Sequence, residues 1–158
     1  FHLPKAAKRP GLTQALALMK ALLLLGLIAV SGCTTTDRIE TVSHSASIQC
    51  LQQLIAKDNF AAVPGSLYTG VQDPTVRAEL NNKFKAAVQL LIAAVSRGAN
   101  ESEHLAIIND QINKISRDQL DTEDAEQVAS NFELTLDCLH IESSGGILNS
   151  WMYGFDPR

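Results

Sequence analysis

Side chains able to carry chemistry are few in this sequence and widely spaced. Cys50 and Cys138 stand 88 positions apart with no CxxC pattern, which argues against a redox pair or a thiolate metal site. Two readings stay open: a disulfide, or two separately buried thiols. If bonded, closing a loop of that length would be worth about 4 to 5 kcal/mol in the chain-entropy model. His44, His104 and His140 are scattered, with no HExxH pattern and no second ligand at helical spacing, so exposed histidines are expected and no metal or cofactor. Asp121, Glu123, Asp124 and Glu126 lack the glycine and terminal glutamate of an EF-hand loop and read as the acidic start of a helix. No GxSxG elbow, P-loop or GxGxxG follows a strand pattern, and the SSGG at Ser143–Gly146 is a turn, since no lysine follows it.

Cys33 has a different setting. It ends VSGC, whose valine is the last residue of the ten-residue apolar run ALLLLGLIAV. Such a run is short for a bilayer core of about 30 Å but suits the apolar segment of an export signal. VSGC resembles the lipobox of bacterial lipoproteins, which implies a signal over residues 19–32 and an acylated Cys33 as the mature N-terminus. Phe1–Leu18 carries no motif and reads as an upstream extension, with the natural start at Met19. By resemblance to Gram-negative sorting, Thr34 after the cysteine points to the periplasmic face of the outer membrane. Palmitate-type chains at about 0.8 kcal/mol per buried methylene make a durable anchor when two or three are present. Four of the 13 basic residues and none of the 17 acidic ones precede Cys33, leaving nine against 17, a formal charge of −8. Nucleic acid is therefore not an expected partner.

These residues need elements to hold them, and the apolar spacing predicts helices. Residues 33–43 are polar and read as a tether before a helical domain over 44–158. Ile48, Leu51, Leu54 and Ile55 share one face of a helix near 43–58. Pro64, Gly65 and Gly70 mark a loop, with Val63, Leu67 and Tyr68 expected to pin it inward. Asp73 and Pro74 form a cap and first-turn pair for a helix over 74–97, closed by Gly98. Helices over 102–117 and 122–141 follow, the last capped by Asp121. Leu80, Phe84, Leu91, Ile108, Ile112, Val128 and Phe132 are the expected core. The fold class is all-α: an antiparallel four-helix bundle with an ordered apolar C-terminal tail. That tail either folds back through Ile147, Leu148, Trp151 and Phe155, or leaves Trp151, Met152 and Tyr153 exposed as a partner anchor.

LDTED, SNFE, ESSGGILNSWMYGFDP and the earlier PGSLYTG together resemble a family of small bacterial proteins catalogued as a domain of unknown function, number four thousand eight hundred and forty-four. The likeness spans most of Leu51–Pro157 and implies a mainly helical fold with no assigned activity. Trp151 and Met152 fall where the family carries hydrophobic residues. Compartment and size alone also associate the chain with periplasmic immunity proteins that neutralise cell-wall amidases. The reading is a non-enzymatic, periplasm-facing envelope lipoprotein, anchored to the membrane and binding another macromolecule as an inhibitor or immunity-type protein. A structural envelope protein is one alternative. A small periplasmic hydrolase is the other, and it would require Ser, His and Asp groups converging in one cleft.

Overall fold

The computed structural model describes Thr35–Phe155, with side chains from Ser43 onward. The stretches read as an upstream extension and an export signal, together with Cys33, Thr34 and Asp156–Arg158, lie outside the described residues. Among those described there are five α-helices and no strand: α1 Thr35–Ile55, α2 Pro74–Ser96, α3 Glu101–Ile112, α4 Thr122–Leu139 and α5 Ile147–Tyr153, with a 3-10 turn at Arg117–Gln119. None of these helices is long and apolar enough to cross a membrane.

Each start has a local cause. The Asp73 carboxylate accepts from the amides of Thr75 and Val76 at 2.7 and 3.3 Å, and Pro74 follows at the first helical position. Asn100 and Glu103 form a reciprocal capping box, side chain to backbone amide in both directions at 3.0 and 3.1 Å. Asp121 accepts from the Asp124 amide at 2.8 Å. The ends are equally local: Gly98 turns left-handed at φ 73° after α2, and His140 does so at φ 56° after α4, where the Ile141 amide reaches back to the Leu136 carbonyl at 3.0 Å.

The seven expected core residues are all buried, joined by Leu51, Phe60 and Val88. Phe84 and Phe132 meet edge to face with centroids 5.5 Å apart, the arrangement that aromatic quadrupoles favour. A disulfide joins Cys50 on α1 to Cys138 on α4, with Cα atoms 5.5 Å apart. Of the two readings open in the sequence, the bonded one is observed.

Several boundaries differ from the sequence reading. α1 begins at Thr35, inside the stretch read as a tether, because helix can extend N-terminally from a packed segment without an apolar stripe of its own. The third helix stops at Ile112 rather than at residue 117; Asn113 caps it, and the chain turns through Lys114 and Ile115 so that buried Ile115 points to the core. The tail is a helix, α5, packed on α3 and α4. Gly146 at φ 85° and Gly154 at φ 76° bracket it, conformations that side chains with a Cβ resist. Leu148, Trp151 and Met152 are buried, so Trp151 and Met152 are not an exposed partner anchor; spacing of three and four residues puts them on one face. The Trp151 indole N–H donates to the Ile115 carbonyl at 3.0 Å. Only Tyr153 of that trio is exposed. Phe155, expected to fold back, is also exposed and lies beside it, ring centroids 6.4 Å apart.

Candidate functional site: an exposed loop beside an acidic cleft

The loop from Ala61 to Gln72 is anchored at both ends and open in its middle. Phe60 and Val71 are buried and tied by a backbone bond, Val71 amide to Phe60 carbonyl, at 3.0 Å. Gly70 at φ 79° lies so close to Ala61 and Ala62 that a Cβ there would overlap their backbone. Between these anchors a turn at Val63–Ser66 directs the chain outward. Val63 is exposed and Leu67 wholly so, which corrects the expectation that they pin the loop inward. Pro64 and Gly65 break the spacing that would have given the two residues a common face. Tyr68 alone of the three ties the loop down, its hydroxyl donating to the Asp124 carboxylate at 2.9 Å.

Below the loop, the starts of α2 and α4 border a cleft of about 350 Å³. Asp73, Asp121, Glu123 and Asp124 all line it, and no lysine or arginine does. Burial raises the Asp124 carboxyl above the usual range; the carboxylates of Asp121 and Glu123 push the same way, against the Tyr68 hydrogen bond. Burial also raises the Tyr68 hydroxyl, reinforced by its bond to Asp124 and by the charges of Asp124 and Asp121. Tyr68 therefore keeps its proton at any physiological pH and acts as a donor, not a base.

A buried polar network fixes the loop's entry. The Asn59 amide donates to the Asn81 side chain at 3.0 Å, its own side-chain nitrogen donates to the Leu54 carbonyl at 2.8 Å, and its carbonyl accepts from Asn131 at 3.2 Å. One residue thus joins α1, α2 and α4. Asp58 beside it is bound by Asn81 and Arg77, both at 2.7 Å. Burial pushes its carboxyl up, but these donors and the Arg77 charge outweigh that and hold it down at about 2. The apolar spacing ends the first helix near residue 58 and assigns neither Asp58 nor Asn59 a role. A polar pair directly before a buried aromatic, Phe60, was the available signal.

The structure also gathers residues that the sequence scatters. His44, His104 and His140 line one pocket of about 200 Å³, together with Ser43, Ser47 and Glu101. His104 is buried, which corrects the expectation that all three histidines are exposed; its place on the inner face of α3 is the reason. Hydroxyl, imidazole and carboxylate groups meet here, and the buried Nε2 of His104 has no hydrogen-bond partner among the protein groups. Among the described residues, no three His, Cys, Asp or Glu side chains are arranged to hold a metal ion.

Residues 41–156 match the family model of a domain of unknown function, DUF4844. The chain belongs to this family. The matched span contains the loop, the cleft, the histidine pocket and both bonded cysteines; Cys33 precedes it. A solved relative, the crystal structure of a DUF3571 family protein from Acinetobacter baumannii AYE, is 45% identical over 71% of this chain and 92% of its own, with a TM-score of 0.67. No curated protein matches the chain.

Proposed function

We propose that this DUF4844 protein is a non-enzymatic envelope lipoprotein, held at the periplasmic face of the outer membrane by acylated Cys33, that binds a basic protein partner through the loop and its cleft. One observation carries the reading: Leu67 stands wholly exposed at the tip of an anchored loop, next to a cleft bordered by four carboxylates and no cation. Each adjoining helix N-terminus contributes about half a positive charge, roughly one in all, so the carboxylates dominate the field. An apolar contact ringed by charge suits a protein interface, and an acidic field speeds capture of a basic partner. The lipobox supports the anchor, and the disulfide accords with an oxidising compartment. An inhibitor of immunity type is the concrete form of this role. In the same reading the four longer helices form an antiparallel bundle that α5 closes, supported by the packing of α5 on α3 and α4.

Affinity capture from envelope extract tests the reading, with the acyl-free mature chain as bait in moderate salt. The wild type should retain one basic protein, and Leu67→Asp or Glu123→Lys should release it without lowering the melting temperature by more than a few degrees. Recovery of no partner, with turnover of a cell-wall or ester substrate abolished by mutating one polar residue, would replace this reading with the hydrolase.

A further inference from the structure

The histidine pocket is built from four parts of the fold. Ser43, His44 and Ser47 come from α1, Val95 from α2, Glu101 and His104 from α3, and His140 from the left-handed end of α4. His104 forms the buried wall at 8% exposure, and its Nε2 is buried without a partner. A neutral imidazole can leave one nitrogen without a donor's obligation, whereas an imidazolium carries two N–H donors and a charge, each needing an acceptor or water. The closed arrangement supplies no protein acceptor at Nε2.

We propose that His104 is a proton-operated latch: mild acidification charges its imidazole, and the first half of α3 then swings away from α1 and the end of α4, exposing the His104 ring to the water of the pocket. The charges around the ring are divided. His44 on α1 and Arg97 at the end of α2 oppose a positive charge, Glu101 and Glu103 on α3 favour one, and His140 lines the same pocket from α4. Glu103 is already engaged by the Asn100 amide in the capping box. Burial is the largest influence, and the net result is a ring whose affinity for a proton falls below the ordinary value of 6.5.

The disulfide decides which wall moves. Cys50 lies on α1, which carries His44, and Cys138 lies two residues before His140, so the bond holds these two walls together. α3 has no such tie. Its N-terminus follows the Gly98 bend, and only the capping box and packing keep His104 in place.

The direction with pH follows from linkage. A histidine with a depressed value in the closed form binds more protons when open. The closed form is therefore fully favoured above about 6.5 and loses ground as pH falls below it, by up to tenfold per pH unit for one proton, until the closed-form ring itself titrates.

Hydrogen exchange on the full chain between pH 7.5 and 5, corrected for intrinsic chemical rates, tests the latch. The opening equilibrium of the Leu105–Ile108 amides should rise severalfold to tenfold per pH unit below 6.5, while amides in the middle of α2 stay unchanged. His104→Gln and His104→Phe should flatten that response; His44→Asn should shift it without removing it. If neither His104 variant folds, the wild type decides: acceleration confined to the Leu105–Ile108 amides, with the His104 ring midpoint below 6.5, supports the latch. A midpoint at or above 6.5, equal acceleration in α2 and α3, or an unchanged response in a folded His104 variant would overturn it.

Discussion

The loop Ala61–Gln72 and the tail Ser143–Phe155 have similar ingredients and opposite fates. Both combine glycines with large apolar residues and a tyrosine, and each is tied to the rest of the fold by a side-chain hydrogen bond, Tyr68 to Asp124 and Trp151 to Ile115. In the tail, Leu148, Trp151 and Met152 recur at three- and four-residue intervals, so one helical turn after another buries them together. In the loop, Pro64 and Gly65 separate Val63 from Leu67, and no regular element gives the pair a shared inner face. Burial thus follows periodicity rather than apolar content. A tail that looks like an anchor for a partner serves the core, while a loop that looks like packing offers the exposed side chain.

The link between Cys50 and Cys138 ties the helix that leads into the loop to the helix that leads into the tail, and its loss should have the largest effect on both. With the cysteines 88 positions apart, the paired Cys50→Ala and Cys138→Ala chain should lose about 4 to 5 kcal/mol on the chain-entropy account. Denaturant unfolding of both forms measures this. A loss below about 1 kcal/mol would mean that packing alone sets the loop and tail against the helices.

The sharpest contrast between the regions is a pair of truncations. Trp151→Ala removes a buried indole and leaves the Ile115 carbonyl without its donor, so a cost of about 3 to 5 kcal/mol is expected. Leu67→Ala removes a side chain that touches water on all sides and should fall within about 0.5 kcal/mol of the wild type. Chemical denaturation of the two variants gives both numbers. Comparable losses would show that Leu67 is buried in solution and would remove the distinction on which the binding surface rests.

These outcomes bear on what a sequence alone can convey. The helix starts at Asp73–Pro74 and Asp121 and the stripe from Leu80 to Leu91 were legible because each depends on neighbours within a few residues. The Asn59 network was not: its partners Asn81 and Asn131 lie 22 and 72 residues away, and no local pattern marks them. The histidines likewise share a pocket only because α1, α3 and α4 converge there. The exposure of Leu67 was misread for a related reason. Apolar type implies burial only where the periodicity that burial requires is intact, and turn chemistry removes it here.

The smallest expected effect concerns the ionic hinge at the loop's entry. Asp58 is held at about 2 in the folded protein, against an ordinary carboxyl near 3.8, by Arg77, Asn81 and the Phe60 amide. A carboxyl whose folded value is depressed stabilises the fold above its unfolded value and loses that contribution as pH falls through the folded one. The window is therefore pH 3.8 down to about 2, well below the region in which His104 acts. Roughly two fifths of the Asp58 side chain remains exposed, so water and salt screen the pair and the contribution should be modest. Asp58→Asn keeps the shape and removes the charge. Its stability curve should run close to the wild type below pH 2 and fall beneath it above pH 4, with the gap narrowing in 1 M salt. Because the polar partners of Asp58 are Asn81, Arg77 and the Phe60 amide, the tail amides should exchange alike in both proteins while those of Phe60 and Val71 exchange faster in the variant. Equal exchange at the loop would separate the ionic hinge from the loop's anchoring and leave Asn59, Phe60 and Gly70 as its determinants.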